Sequence, residues 1–325
     1  MDKRRKYVFW LILASLSALF GEVSIGATLY PFFTPWGLAV ILPLYGLHTL
    51  VLGSLVYRFG KPRFETLYLA GVIFGLYEAY ITKVIWNPTW ESPVQIGGIA
   101  ILEFLVVVLF WHPFMSFMVP LGVAELLTSK RKLLPGFILK KPLAFAFILG
   151  ALESSNSPSP LHSFLSLAST LALVLVLIHL WKKDYAGEEM VELLPARKEL
   201  KILVPALLTY YVVLGLGINR AAIPGLAPQA FVWVFYALTF YLLHRALKKS
   251  KGLPVERAEC ELSKGSMMKF SLIWTLSGVL FSTIEIGFHE LKFAIIALLW
   301  LAGGTIGVLS FVRSVRWVLR PETEG

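Results

Sequence analysis

The sequence predicts an all-α, polytopic membrane helix bundle of about ten transmembrane helices, and three observations carry that prediction. Hydrophobic residues make up 57% of the 325 and charged residues 15%, where a soluble chain holds about 45–50% and about 25%. Apolar runs near the length that crosses about 30 Å of hydrocarbon recur along the chain. Lysine and arginine gather in alternate loops, as the positive-inside rule requires. A mean hydropathy of +0.72, with 23 Phe, 12 Tyr and 10 Trp, excludes a soluble domain and a disordered chain alike.

The first run, residues 7–28, follows MDKRRK and continues past Glu22 without an A-x-A site, so it reads as a spanning helix rather than a signal peptide. The second, 36–57, lies between Trp36 and Arg58, and the third, 65–86, carries Glu78 inside it. The fourth, 97–119, contains Pro113 and is followed by Pro120; the fifth, 137–153, and the seventh, 202–218, are short. Kinks or breaks are expected in these three. Runs six, eight, nine and ten cover 161–181, 228–247, 269–288 and 292–312. The connectors 182–201 and 248–268 are too short for a soluble domain, so residues 1–325 read as one transmembrane domain. Five helices on each side of SSNSPSP would give inverted halves, 1–153 and 161–320, though no residue-level repeat joins them.

With both termini cytoplasmic, 27 of the 30 Lys and Arg fall inside, leaving Lys83, Arg220 and Lys292 on the other face. That pattern places the chain in the cytoplasmic membrane. The net charge of +10 therefore reads as orientation and headgroup attraction, not as a nucleic-acid surface. Cys260 is the single cysteine, which excludes disulfide frameworks and Cys-based metal sites. Five Asn and Gln in the whole chain fit the composition of a thermophile.

Seven acids fall in the outer half or outer loops under this topology: Glu22, Glu78, Glu91, Glu103, Glu153, Glu285 and Glu290. Reading back from four of them at helical spacing gives stripes of small or polar residues. These are Ser15, Ala18, Glu22 and Gly26; Gly71, Gly75, Glu78 and Thr82; Ala146, Gly150 and Glu153; and Ser271, Thr275, Gly278, Ser282, Glu285 and His289. Small residues let helices approach closely in lipid, so each glutamate is expected to point at protein. The expectation is an outward-facing polar cavity lined by Glu22, Glu78, Glu103, Glu153 and Glu285, with His162, His289, Lys83 and Arg220 near its mouth. Carboxylates sharing such a space hold protons, pair with cations or bind a cation. The plain alternative is that they snorkel or cap neighbouring helices. His48, His112, His179 and His244 read as bundle or interface histidines, and Lys83, five residues after Glu78, reads as snorkelling to headgroups.

Glu285 and His289 stand four apart on one expected helix, a spacing open to a divalent metal, but Phe293 occupies the second histidine position of H-E-x-x-H. The chain has no G-x-S-x-G, P-loop or G-x-G-x-x-G after a strand. Trp36, Trp86, Trp90 and Trp233 fit an outer interfacial belt and Trp10, Trp181 and Trp317 an inner one. The Trp- and Pro-dense loop KVIWNPTWESP beside Lys83 would form a lid.

Two stretches, FGEVSIGATLYPFFTPWGLAVILPLYG (20–46) and FGLYEAYITKVIWNPTW (74–90), resemble a family of uncharacterised polytopic membrane proteins of bacteria and archaea. In that family the first helix ends in Gly-Glu before a Pro-aromatic turn, and the third carries Glu, Lys and Pro-x-Trp, here Glu78, Lys83, Pro88 and Trp90. The paired acids of the family's third helix are here Glu78 followed by Ala79. The resemblance implies a multi-pass fold and draws attention to Glu22, Glu78 and Lys83, without implying a mechanism.

Three functional readings follow. One is a transporter in which Glu22, Glu78, Lys83, Glu103, Glu153 and Glu285 handle a proton, a cation or a small solute. Another is an intramembrane enzyme acting on a lipid or isoprenoid headgroup through Glu285 and His289, and the third is a non-catalytic scaffold in the lipid bilayer.

Overall fold

The computed structural model describes residues 3–87, 92, 94–128, 140–183, 185, 187–254 and 264–320, with the side chains of Lys264 and of 285–287 outside the description. It is all-α apart from one small hairpin. Each of the ten apolar runs carries a helix: α1 Lys3–Gly21, α2 Gly37–Phe59, α3 Phe64–Thr82, α4 Ile101–Thr128, α5 Pro142–Glu153, α6 Pro160–Lys183, α7 Arg197–Gly217, α8 Leu226–Ser250, α9 Lys264–Gly287 and α10 His289–Leu319. Among the described residues, eight helices are long and apolar enough to cross a membrane; α3 and the 12-residue α5 are not among them.

Several helices outrun the apolar runs that predicted them. Helix α10 begins at His289 and ends at Leu319, because Arg and Lys are good helix formers and an interface tolerates their charge. Others stop early. Helix α1 ends at Gly21, and Glu22 leads into a 3₁₀ turn, Val23–Ile25, closed by Gly26 at φ 68°. Gly26 therefore does not share a helical face with Glu22, as the spacing had predicted. Pro205 leaves α7 continuous, whereas Pro113 sits in a 15-residue π-helical stretch, Phe104–Met118, of α4. In an α-helical register the N–H missing at Pro113 would serve the Leu109 carbonyl; the Tyr68 hydroxyl lies 2.8 Å from that oxygen.

Two compact units divide the chain. The first comprises Met1–Leu50, Val119–Leu194 and Glu256–Leu299. Within it α9 packs on α5 and α6, and α1 packs on α6 and on the end of α4. Phe20 stacks on Trp274, ring centroids 5.5 Å apart, and Trp10 Nε1 donates to the Leu193 carbonyl at 2.8 Å. The second comprises Val51–Met118, Pro195–Val255 and Trp300–Gly325. At its centre α3 packs on the π-helical stretch of α4 and on α7 and α8. Its side chains are buried on every face, which is why its sequence shows no polar side. The hairpin, β1 Gln95–Ile96 and β2 Ile99–Ala100, is antiparallel.

Candidate functional site

In the second unit the glycines of α3 decide what meets Glu78. A Cβ built on Gly71 would lie 2.5 Å from Pro113 Cα, and one on Gly75 would lie 2.8 Å from the Val108 carbonyl oxygen. Only glycine lets α3 and α4 approach this closely. The approach brings His112 beside Glu78, with Nε2 and Oε2 2.8 Å apart. His112 Nδ1 is 2.9 Å from Ser116 Oγ, and Phe74 stacks on the imidazole at 5.2 Å. All three polar side chains are buried.

A carboxylate only accepts, so the 2.8 Å contact contains a proton, carried by Nε2 or by the carboxyl. Ser116 serves either state of the ring: its hydroxyl donates to a bare Nδ1 or accepts from a protonated one. The three side chains thus stay hydrogen-bonded to one another wherever that proton sits. Charge is costly in a membrane bundle interior, and polar groups there are held by such partners.

Lys83 does not snorkel. It is fully buried and ends α3 in the left-handed region, φ 64°, which turns its side chain back into protein. Its Nζ donates to the carbonyls of Ile81 at 2.9 Å, Gly215 at 2.5 Å and Ile218 at 3.0 Å. Glu103, in the first turn of α4, is also fully buried and accepts from Ser92 Oγ at 2.7 Å. Arg220 lies exposed in a 3₁₀ turn.

In the first unit Glu22 accepts from Tyr45 Oη at 2.5 Å and Thr28 Oγ1 at 2.7 Å. Glu153 ends α5 and accepts from the Ser163 hydroxyl of α6. A Cβ on Gly278 would lie 3.0 Å from Glu153 Oε2, so this glycine of α9 makes room for the carboxylate. The two acids are joined through the turn after α1: Gly26 packs on the Glu153 carbonyl, and Asn156 Nδ2 donates to Ile25 O at 2.8 Å. Burial first, and the Glu153 charge second, hold the Tyr30 phenol above its usual range. Lys292, buried, donates to the Ser154 carbonyl at 2.5 Å.

The chain leaves helical geometry at Phe288, and His289 opens α10, so Glu285 and His289 are not four apart on one helix. His289 is exposed, and the Glu285 side chain lies outside the description, as do Pro88, Trp90 and Glu91 of the expected lid. Among the described residues no group of three or more His, Cys, Asp or Glu could hold a metal ion. His162 is exposed, its Nδ1 2.9 Å from Ser159 Oγ.

Sequence reasoning placed His112 among ordinary bundle histidines and passed over Ser116, Tyr45 and Ser163. The Gly71–Gly75 stripe held the signal for His112, since it marks where a second helix must come closest.

Residues 11–320 match the family model described as "Uncharacterized membrane protein family". A relative from Archaeoglobus fulgidus, described as "Uncharacterized protein", is 35% identical over 249 residues, covering 73% of this chain and 77% of its own length. No solved structure matches. A match over nearly the whole chain, with apolar helices throughout, shows that this multi-pass membrane protein belongs to the Uncharacterized membrane protein family.

Proposed function

We propose that the protein is a transporter of the cytoplasmic membrane, with ten spanning helices and both termini inside, whose buried glutamates bind a proton or a cation. The observation that carries this reading is the Glu78–His112–Ser116 chain, which accommodates a proton in either of two places. The supporting context is mechanical. His112 and Ser116 belong to a π-helical stretch that contains Pro113, and π-helical insertions are frequent at functional sites. A change of one turn there would re-aim His112 relative to Glu78, which is the coupling a carrier needs. Glu22 and Glu153 bear hydroxyl donors and serve as further proton or cation positions. The substrate is a small solute or cation taken from water or from the bilayer.

The test is electrical. Proteoliposomes on a solid-supported membrane receive jumps of pH, sodium, potassium, calcium and organic amines, with wild type beside Glu78→Gln. A pH-dependent current in wild type that is absent in Glu78→Gln is expected. Identical currents in both proteins would overturn the role given to Glu78.

A further inference from the structure

We infer that Lys83 is a tethered cation filling a carbonyl-lined site for a small monovalent cation at the meeting of the C-terminal ends of α3 and α7. The inference stands apart from the transport reading. Ile81 belongs to the last turn of α3, Gly215 to the last turn of α7, and Ile218 is the residue that follows the α7 end. Carbonyls at helix C-termini lack intrahelical donors and carry the negative end of the helix dipole. Three of them converge on one point at 2.5–3.0 Å, and the Lys83 ammonium occupies it with all three of its hydrogens used.

Another side of the site is aromatic. Nζ lies 5.8 Å from the Tyr80 ring centroid, and a Cβ on Gly215 would come within 3.3 Å of Tyr80 Cε1, so the ring lies close against the α7 backbone. Carbonyl oxygens suit a monovalent cation and an aromatic face adds attraction for one, and the room left by a lysine ammonium fits a compact one such as ammonium. Among the described residues no carboxylate contacts Nζ within ion-pair distance. Among the described residues the ammonium is therefore held by carbonyl dipoles and the Tyr80 ring, as a free cation in a carbonyl cage would be. The backbone supports the same reading. Lysine is an unusual residue at φ 64°, where glycine is at ease, and its presence there delivers a fixed charge to the cage.

The test empties the cage. Lys83→Gly removes the ammonium and relieves the backbone, while Lys83→Met removes the charge and keeps the stem. Thermal midpoints in detergent are measured for wild type and both variants in ammonium, methylammonium, sodium, potassium and choline chloride at equal ionic strength. Both variants are expected to lose at least about 5 °C, and Lys83→Gly is expected to regain most of it in ammonium or methylammonium but not in choline, while wild type does not respond. Recovery in no salt, or equal recovery in choline, overturns the proposal. Should neither variant fold, reductive methylation of the wild type decides: Lys83 is expected to stay unmodified while the exposed Lys251 reacts, and equal rates overturn the proposal.

Discussion

Replacing Gly71 by alanine sets helix propensity against helix contact. In an isolated helix the change stabilises by about 1 kcal/mol. Here the new Cβ would stand 2.5 Å from Pro113 Cα, whereas ordinary contact begins at 3.4 Å. The neighbour is backbone and cannot rotate away, so α3 and α4 must separate by roughly 0.9 Å, the difference between those distances. Overpacking of this kind costs about 1–3 kcal/mol. The same displacement stretches the Glu78–His112 contact from 2.8 Å toward about 3.7 Å, beyond hydrogen-bond range. Losing a hydrogen bond to a charged group adds about 1.5–3 kcal/mol. The net expectation is a loss of roughly 1.5–5 kcal/mol, read from reversible denaturant unfolding in mixed micelles. Gly217→Ala is the control, because its Cβ would meet nothing within 4 Å. If Gly71→Ala matches or exceeds wild type in stability, the close approach is not what positions His112, and the reasoning fails.

Two further outcomes follow from the same contacts. Ser163→Ala removes the hydroxyl that donates to fully buried Glu153, and should cost about 1–3 kcal/mol in the same assay; a change below about 0.5 kcal/mol would show the bond to be dispensable. Tyr185, whose hydroxyl donates to the Thr128 and Glu188 carbonyls, is held above its usual value near 10, first by burial and then by the carboxylates of Glu188, Glu189 and Glu192. Its folded state keeps the phenol proton longer than the unfolded chain does, so this contribution to stability is complete below pH 10 and declines as pH rises beyond it. Tyr185→Phe should flatten that alkaline decline, and an unchanged profile would count against the assigned cause.

Much of the architecture was legible because a membrane imposes a length on the apolar stretches of the chain. Each of the ten apolar runs carries a helix, and among the described residues eight of these are long and apolar enough to cross a membrane; small residues at helical spacing marked faces that touch. The Gly71–Gly75 stripe and Gly150, which lies against Ser277 and Gly278 of α9, both behave as that spacing predicts. The misplacements share a physical origin. Periodicity assumes the helix continues, and it does not continue past Gly21 or Gly287, where a 3₁₀ turn takes Gly26 off the face of Glu22 and a break in the helix at Phe288 separates His289 from α9. Nor does spacing along α3 reveal that Lys83 turns back on a left-handed residue.

The sequence by itself determined the solvent: its apolar runs and its scarcity of charge specify a multi-pass helical membrane protein. Only the tertiary structure decided the partners, because they lie far apart in the chain. His112 reaches Glu78 from 34 residues away, and Lys83 reaches Gly215 across 132. Such contacts depend on which backbone can approach which, to within a fraction of the size of a methyl group. That depends on how whole helices pack, and no spacing within one helix encodes it.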